Sequence, residues 1–229
     1  MSFNLPTVYV HNLGKLCFRQ SLLKQKEAVK TIMQKLSLKQ IEKLPNFLFL
    51  VEHNPVYTVG IRNQQYVTDS KKLKSHGADF VVTDRGGLIT FHGPGQLVSY
   101  PVLYLGSFNS KKSVRWYVRQ LENTLVETCT YFNIKAGTSK DVGVWVENRK
   151  IAAIGIHASR YVTSHGVSLN CNIDLNWFSH IVPCGLENKE VTSLSKETKC
   201  EVTVKETIPH FLNAFQKYFP CNFKFENNI

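Results

Sequence analysis

Six cysteines, at positions 17, 129, 171, 184, 200 and 221, are the strongest nucleophiles in this 229-residue chain. Most suit the role of small core hydrophobes. Cys184 stands apart, in Ile181-Val182-Pro183-Cys184-Gly185-Leu186. A proline before it and a glycine after it fix the backbone and leave the thiol less crowded than in a strand or helix. A free thiol titrates near ~8.5, so little thiolate exists at neutral pH. A neighbouring ammonium group favours the thiolate by direct attraction. Lys150 could supply that charge. It ends the polar stretch Glu147-Asn148-Arg149-Lys150, which reads as a hairpin turn, and opens the apolar run Ile151-Ala152-Ala153-Ile154-Gly155-Ile156. Pointed into a cleft, one lysine could serve twice, assisting deprotonation and then shuttling a proton to or from a leaving group. Pointed outward, it is an ordinary strand-edge residue and Cys184 an inert thiol.

A second concentration of chemistry lies in Arg85-Gly86-Gly87-Leu88-Ile89-Thr90-Phe91-His92-Gly93-Pro94-Gly95-Gln96, with four glycines and a proline in twelve residues. Glycine lets a ligand approach the backbone closely. Ordering so flexible a loop costs entropy that a ligand contact can offset. The loop reads as one wall of a site for a polar or carbonyl-bearing group, or as a hairpin turn with an incidental histidine. His92 and His165 both precede glycine; either could bind substrate or satisfy a backbone group, and His92 is the better placed. His157, His165, Cys171, His180 and Cys184 match no usual zinc spacing, so no metal is expected. No Gly-x-x-x-x-Gly-Lys-Ser/Thr loop exists for nucleotide phosphates. Asp174 is expected to tie the following loop to its own backbone.

These residues need elements to hold them. Val8–Val10 reads as a short strand before a turn at His11-Asn12-Leu13-Gly14. A helix is predicted from about Arg19 to Leu36, with Leu22, Val29, Ile32, Met33 and Leu36 on one face. Strands are expected at 47–51, 56–59, 80–83, 88–91 and 97–105, the last interrupted by Pro101 at an edge or a bulge. Ser113 caps a second helix. Strands at 142–146 and 151–156 flank the hairpin turn, and another runs from 167 to 173. Near the end, Thr203-x-x-Glu206 resembles a capping box, while Pro209 argues for a helix start near Thr207. The sum is one α+β domain over residues 1–229, core about 8–219, with a mainly antiparallel sheet flanked by helices.

The net charge is +11 and the isoelectric point about 9.4. Lys71-Lys72-Leu73-Lys74 is the tightest basic cluster, and no RNP-type or zinc-finger pattern accompanies it. An acidic protein partner therefore fits at least as well as nucleic acid. No run of 18 apolar residues exists, so no membrane span is expected. Irregular cysteine spacing suggests free thiols in a reducing compartment. Residues 1–26 hold four basic and no acidic residues, as a mitochondrial presequence does, but are poor in arginine. Val8 already reads as the first strand, so no extra leader is expected.

Four motifs in order resemble the lipoyl/octanoyl transferases, also called lipoate-protein ligase B. They are Arg85-Gly-Gly-x-x-Thr-Phe-His-Gly-Pro-Gly-Gln96, Lys150-x-x-x-x-Gly155, His165-Gly166-x-x-Leu-Asn170, and Asp174-Leu175 followed by Pro183-Cys184-Gly185. The resemblance spans nearly the whole chain and implies the biotin/lipoate protein ligase fold. It implies ping-pong transfer of octanoyl from the phosphopantetheine thioester of acyl carrier protein onto Cys184, then onto a lysine of a lipoyl-domain protein. Glycine cleavage H protein and the E2 subunits of 2-oxoacid dehydrogenases are the implied acceptors. Lys150 takes the role of lowering the thiol's pKa. Substrate-binding segments fall on Arg85–His92, Ala153–Ile154–Gly155 and Gly166–Val167–Ser168. Neither ATP nor a metal is implied, nor nucleic acid or membrane as partner. A mitochondrial location is favoured over a bacterial cytoplasm. The rival readings are an ATP-dependent lipoate ligase on the same fold and a non-enzymatic anion-binding module.

Overall fold

The computed structural model describes residues 5–41, 44–61, 70–109, 111–181 and 189–226. Its main sheet has nine strands. β1 (Thr7–Leu16), β2 (Asn46–His53), β6 (Gln96–Val102), β10 (Val162–Asn170), β9 (Arg149–Ser159), β8 (Val144–Val146) and β7 (Gly137–Thr138) lie side by side in that order. β12 (Asn222–Glu226) extends the β1 edge, and β11 (Glu190–Val191) pairs with β9. The pairings β1–β12, β1–β2 and β9–β11 are parallel and the other five antiparallel. The sheet is thus mixed, with antiparallel pairing in the majority. A small second sheet joins β3 (Val56–Val59), β4 (Asp79–Val82) and β5 (Thr90–His92).

Five α-helices complete the described chain: α1 (Phe18–Ser37), α2 (Ser70–Ser75), α3 (Val114–Thr130), α4 (Leu194–Thr198) and α5 (Val204–Tyr218). α3 and α5 cover one face of the main sheet through Tyr117, Leu121, Leu125, Phe211 and Phe215, packed on Leu48, Leu50 and Leu97. α1 covers the opposite face, where Ile32 meets Val51, Val98 and Tyr100. Ser113 caps α3, accepting from Trp116 N at 3.2 Å, so its first orphan amides are satisfied.

Several sequence expectations are corrected. β1 runs through the expected turn: the ladder shifts register between Asn12 and Lys15, and Gly14 donates to Asn12 Oδ1. His11-Asn12-Leu13-Gly14 is a bulge that the strand absorbs. Pro101 lies in a central strand rather than at an edge. Its carbonyl faces β10, where the regular ladder ends at Ser99↔Val167, and Thr163 Oγ1 donates to it at 2.8 Å. The missing amide therefore leaves no ladder bond unmade. β10 starts at Val162, five residues before expectation, because Arg160 and Tyr161 both take positive φ and form a two-residue hairpin. Lys150 belongs to β9, and the turn before it is only Glu147-Asn148. α5 starts at Val204, where the capping box of Thr203 and Glu206 is complete and Pro209 sits inside the helix. The cap decided the start; Asp174 also ties its loop, accepting from Asn176 N at 3.0 Å.

Candidate active site

Two cavities adjoin between the main sheet, the small sheet and the first turn of α1. The larger is a cleft with about 460 Å³ of space, part of it open to solvent. Its floor is formed where β9 and β10 pair: Gly155 is the cross-strand partner of Gly166, and Ala153 of Ser168. The floor is bare backbone at the glycine pair. Any Cβ on Gly166 would run into Ser99 O and Pro101 Cδ on β6, so only glycine fits there. Ile154 and Val167 also reach the cavity.

The glycine-rich segment forms one wall. Alternation along β5 turns Thr90 and His92 toward the cavity, while Ile89 and Phe91 point into a third apolar cluster. Phe91 stacks there on Trp177, with centroids 4.8 Å apart. Gly87 and Leu88 line the cavity. Gly86 does not; its amide donates to Ile156 O at 2.9 Å and fastens the loop to β9. Arg85 lines the cavity but also secures the loop, donating to Thr58 O at 2.7 Å, Thr58 Oγ1 at 2.9 Å and Gly86 O at 3.0 Å. Of the expected substrate segments, eleven residues line the cavity, and Gly86, Ile89 and Phe91 instead shape those that do.

The opposite wall contains residues outside the expected segments: Phe18, Val98, Tyr100 and His165. Phe18 lies parallel to His92 at 6.2 Å. These contacts join segments remote in sequence, which no local pattern reveals. Only His165 carried a signal, its place before a glycine.

The histidines here are neutral, and their tautomers follow from their partners. Gln96 Nε2 donates to Phe91 O and Asn170 Oδ1. Its Oε1 therefore accepts, at 2.7 Å, from His92 Nδ1. Burial, with the charge of nearby His53 adding to it, holds His92 down at about 3. His53 donates from Nδ1 to Leu16 O and accepts at Nε2 from Tyr100 OH, both at 2.8 Å. Burial depresses it to about 4. His165 is likewise lowered by burial, against the opposing pull of Asp84. Asp84 is itself held below its usual range: burial, the largest single effect, pushes it up, but the hydrogen bond and charge of His165, a backbone hydrogen bond and the charge of His157 together outweigh it.

Lys150 opens onto the second cavity, of about 280 Å³, which shares Thr90, Ala153 and Ser168 with the first. Those three residues form the neck between them. Lys150 is only 7 % exposed, and its Nζ lies 5.1 Å from the centroid of the Trp145 ring. Gly143 gives it room. At φ +129°, a Cβ there would stand 2.6 Å from Lys150 Cε and 2.7 Å from Ala152 O. A relay of bonds locks the lysine's strand to the wall of the larger cavity. Beyond Gln96, Asn170 Nδ2 donates to Thr192 O at 2.8 Å, and Thr192 N to Lys150 O at 2.9 Å. β11 then brings Glu190 and Val191 alongside Arg149 and Lys150. Cys184 lies outside the described residues, between Ile181 and Lys189. Of the other thiols, burial pushes Cys129, Cys171 and Cys221 up to about 12, so they stay protonated and inert.

The lipoyl protein ligase A/B catalytic domain matches residues 27–216. The chain is 49% identical over 230 residues to a protein of Danio rerio named octanoyl-acyl-carrier-protein:protein N-octanoyltransferase, mitochondrial, covering 100% of both. It is 46% identical over 170 residues to the Homo sapiens protein of the same name, covering 73% of each. Among solved structures, a bipartite lipoate protein ligase from Thermoplasma acidophilum aligns with TM-score 0.73 at 12% identity, covering 99% of this chain and 88% of that one. That likeness carries the fold alone. With a domain match across most of its length and a relative of one-half identity from end to end, the chain belongs to the lipoyl protein ligase A/B catalytic domain family, among its octanoyltransferases.

Proposed function

We propose that the protein moves an octanoyl group from the phosphopantetheine thioester of acyl carrier protein to Cys184, and from there to a lysine of a lipoyl-domain protein. It is an acyltransferase of the mitochondrial branch of its family. In the first half-reaction the Cys184 thiolate attacks the thioester carbonyl. The carbonyl–sulfur bond to pantetheine breaks, and the departing sulfur takes a proton from Lys150. In the second, the neutral acceptor amine attacks the Cys184 thioester and passes its proton to the now-neutral Lys150, an amide forms as the carbonyl–sulfur bond breaks, and the freed sulfur is again a thiolate beside a charged Lys150. Thioester exchange between two thiols is close to isoergic, so the reaction draws on neither ATP nor a metal.

The observation that carries this reading is the neck. The buried Lys150 amine opens onto a cavity that shares three wall residues with a mostly apolar pocket. The pocket's histidines are uncharged, which suits an aliphatic chain. Thr90, His92, Ala153, Gly155 and Ser168 hold the chain, and Arg85, Gly87, Leu88, Ile154, Gly166 and Val167 complete its walls. The +11 charge steers an acidic carrier toward the site. Glycine cleavage H protein and 2-oxoacid dehydrogenase E2 subunits are the acceptors. The test is intact mass after incubation with octanoyl-acyl carrier protein. One octanoyl group should add, labile to hydroxylamine and absent in Cys184→Ser. Unchanged labelling in that variant contradicts the assignment, and efficient transfer from free octanoate plus ATP, without a thioester donor, favours a ligase.

A further inference from the structure

The far end of the acyl pocket, away from Lys150, carries a polar group that plain octanoyl transfer does not use. His165 lines the pocket and is 2 % exposed. Its Nε2 meets Asp84 Oδ1 at 2.8 Å. A carboxylate can only accept, so Nε2 carries a proton, and in the uncharged ring that burial favours Nδ1 keeps a lone pair. Among the described residues no donor reaches Nδ1. Asp84 does not line the pocket, so the ring is oriented from outside. The main chain of His165 sits at φ +56°, an uncommon conformation for a residue with a side chain, held by its amide donating to Gln25 Oε1 at 2.8 Å. A strained backbone and a carboxylate together fix a buried acceptor to which no described residue donates, which is costly unless a ligand supplies the donor.

Position says where on a ligand that donor must be. The neck residue Ser168 lies three residues along β10 from His165, about 10 Å at the usual strand rise. An extended eight-carbon chain spans about 9 Å. A chain bound by its carbonyl at the neck and laid along β10 therefore ends at the level of His165. Resting on the acyl-transfer reading above, we propose that His165 reads the end of the acyl chain, and that the protein also transfers eight-carbon groups bearing a terminal hydroxyl, which donates to Nδ1. His165 is a specificity-determining residue in this account; Asp84 positions it by holding the tautomer.

The experiment compares octanoyl- and 8-hydroxyoctanoyl-acyl carrier protein as donors to a lipoyl domain, using the full chain. The hydroxylated donor should match or exceed octanoyl in kcat/KM. That ratio should fall about tenfold in His165→Asn, where asparagine tolerates the left-handed backbone but withdraws the ring. It should fall by a smaller factor in Asp84→Ala, where the tautomer is no longer held. The ratio is internal to each preparation, so partial loss of folded protein cancels. A wild-type preference for octanoyl of about tenfold or more, or a ratio unmoved in both variants, overturns the proposal. If neither donor is transferred, the acyl-transfer reading is what fails. Calorimetric binding of the two pantetheine thioesters then decides the role of His165 by the same ratio.

Discussion

The two faces of the main sheet are built on different principles. Under α3 and α5 lies a continuous apolar cluster, with Leu48, Leu50 and Leu97 meeting Tyr117, Leu121, Leu125, Phe211, Phe215 and Phe219. Phe215 stacks on Phe219 at 4.6 Å. Under α1 the buried seam is Phe18, Ser21, Gln25, Ala28 and Ile32, facing His53, Tyr100 and His165. Ser21 donates to Phe18 O, and Gln25 serves the amide of His165. A buried polar group contributes less to stability than an apolar one of equal size even when bonded. The α1 face keeps an apolar cluster of its own around Ile32, Val51 and Val98, but interrupts it with polar groups where it shapes the pocket, so the α3/α5 face is expected to be the firmer anchor of the fold.

That contrast can be broken by mutation. Phe215→Ala should cost about 3–5 kcal/mol in denaturant unfolding, while the folded fraction keeps its transfer activity. A cost under about 1 kcal/mol would remove the α3/α5 face as the anchor. Acid probes the other face. His53 and His92 are depressed to about 4 and about 3, below the ~6.5 of an unfolded histidine. Between those values the unfolded chain binds more protons than the folded one. Stability is thus complete above pH 6.5 and is lost as pH falls. From pH 6.5 to 5.5 the two sites should cost about 2 kcal/mol, with His165 adding in the same direction. Phe215→Ala should lower that curve without changing its shape. A wild-type curve flat from pH 6.5 to 5.5 would contradict the neutral, buried histidines. The smallest effect should come from Thr203→Ala, which removes the cap of α5 and should cost about 1 kcal/mol. No measurable loss would mean that Pro209 sets the helix start after all.

Local chemistry made some of this legible in the sequence. Ser113 announced α3 and apolar spacing announced α1, whereas the segments around Gly155 and Gly166 were singled out only by the family resemblance. The apolar stripe read for α1 was only part of its buried face, because Ser21 and Gln25 are buried by partners up to 140 residues away. Pro101 was misread for a similar reason: a threonine sixty-two positions downstream takes its carbonyl. The Arg160-Tyr161 hairpin lacks the glycine or asparagine that usually signals positive φ. Lys150 was seen as a turn residue because the polar run Glu147–Lys150 hides where β9 begins. Its burial depends on Gly143, Trp145 and β11, each set by tertiary contact.

The central claim is that the sulfur at 184 reacts under the influence of the amine at 150. The rate of iodoacetamide alkylation at Cys184, followed by mass against pH, tests it most directly. The expected profile has its inflection below the ~8.5 of a free thiol and moves upward in Lys150→Ala. A profile that is the same in both proteins would contradict the claim.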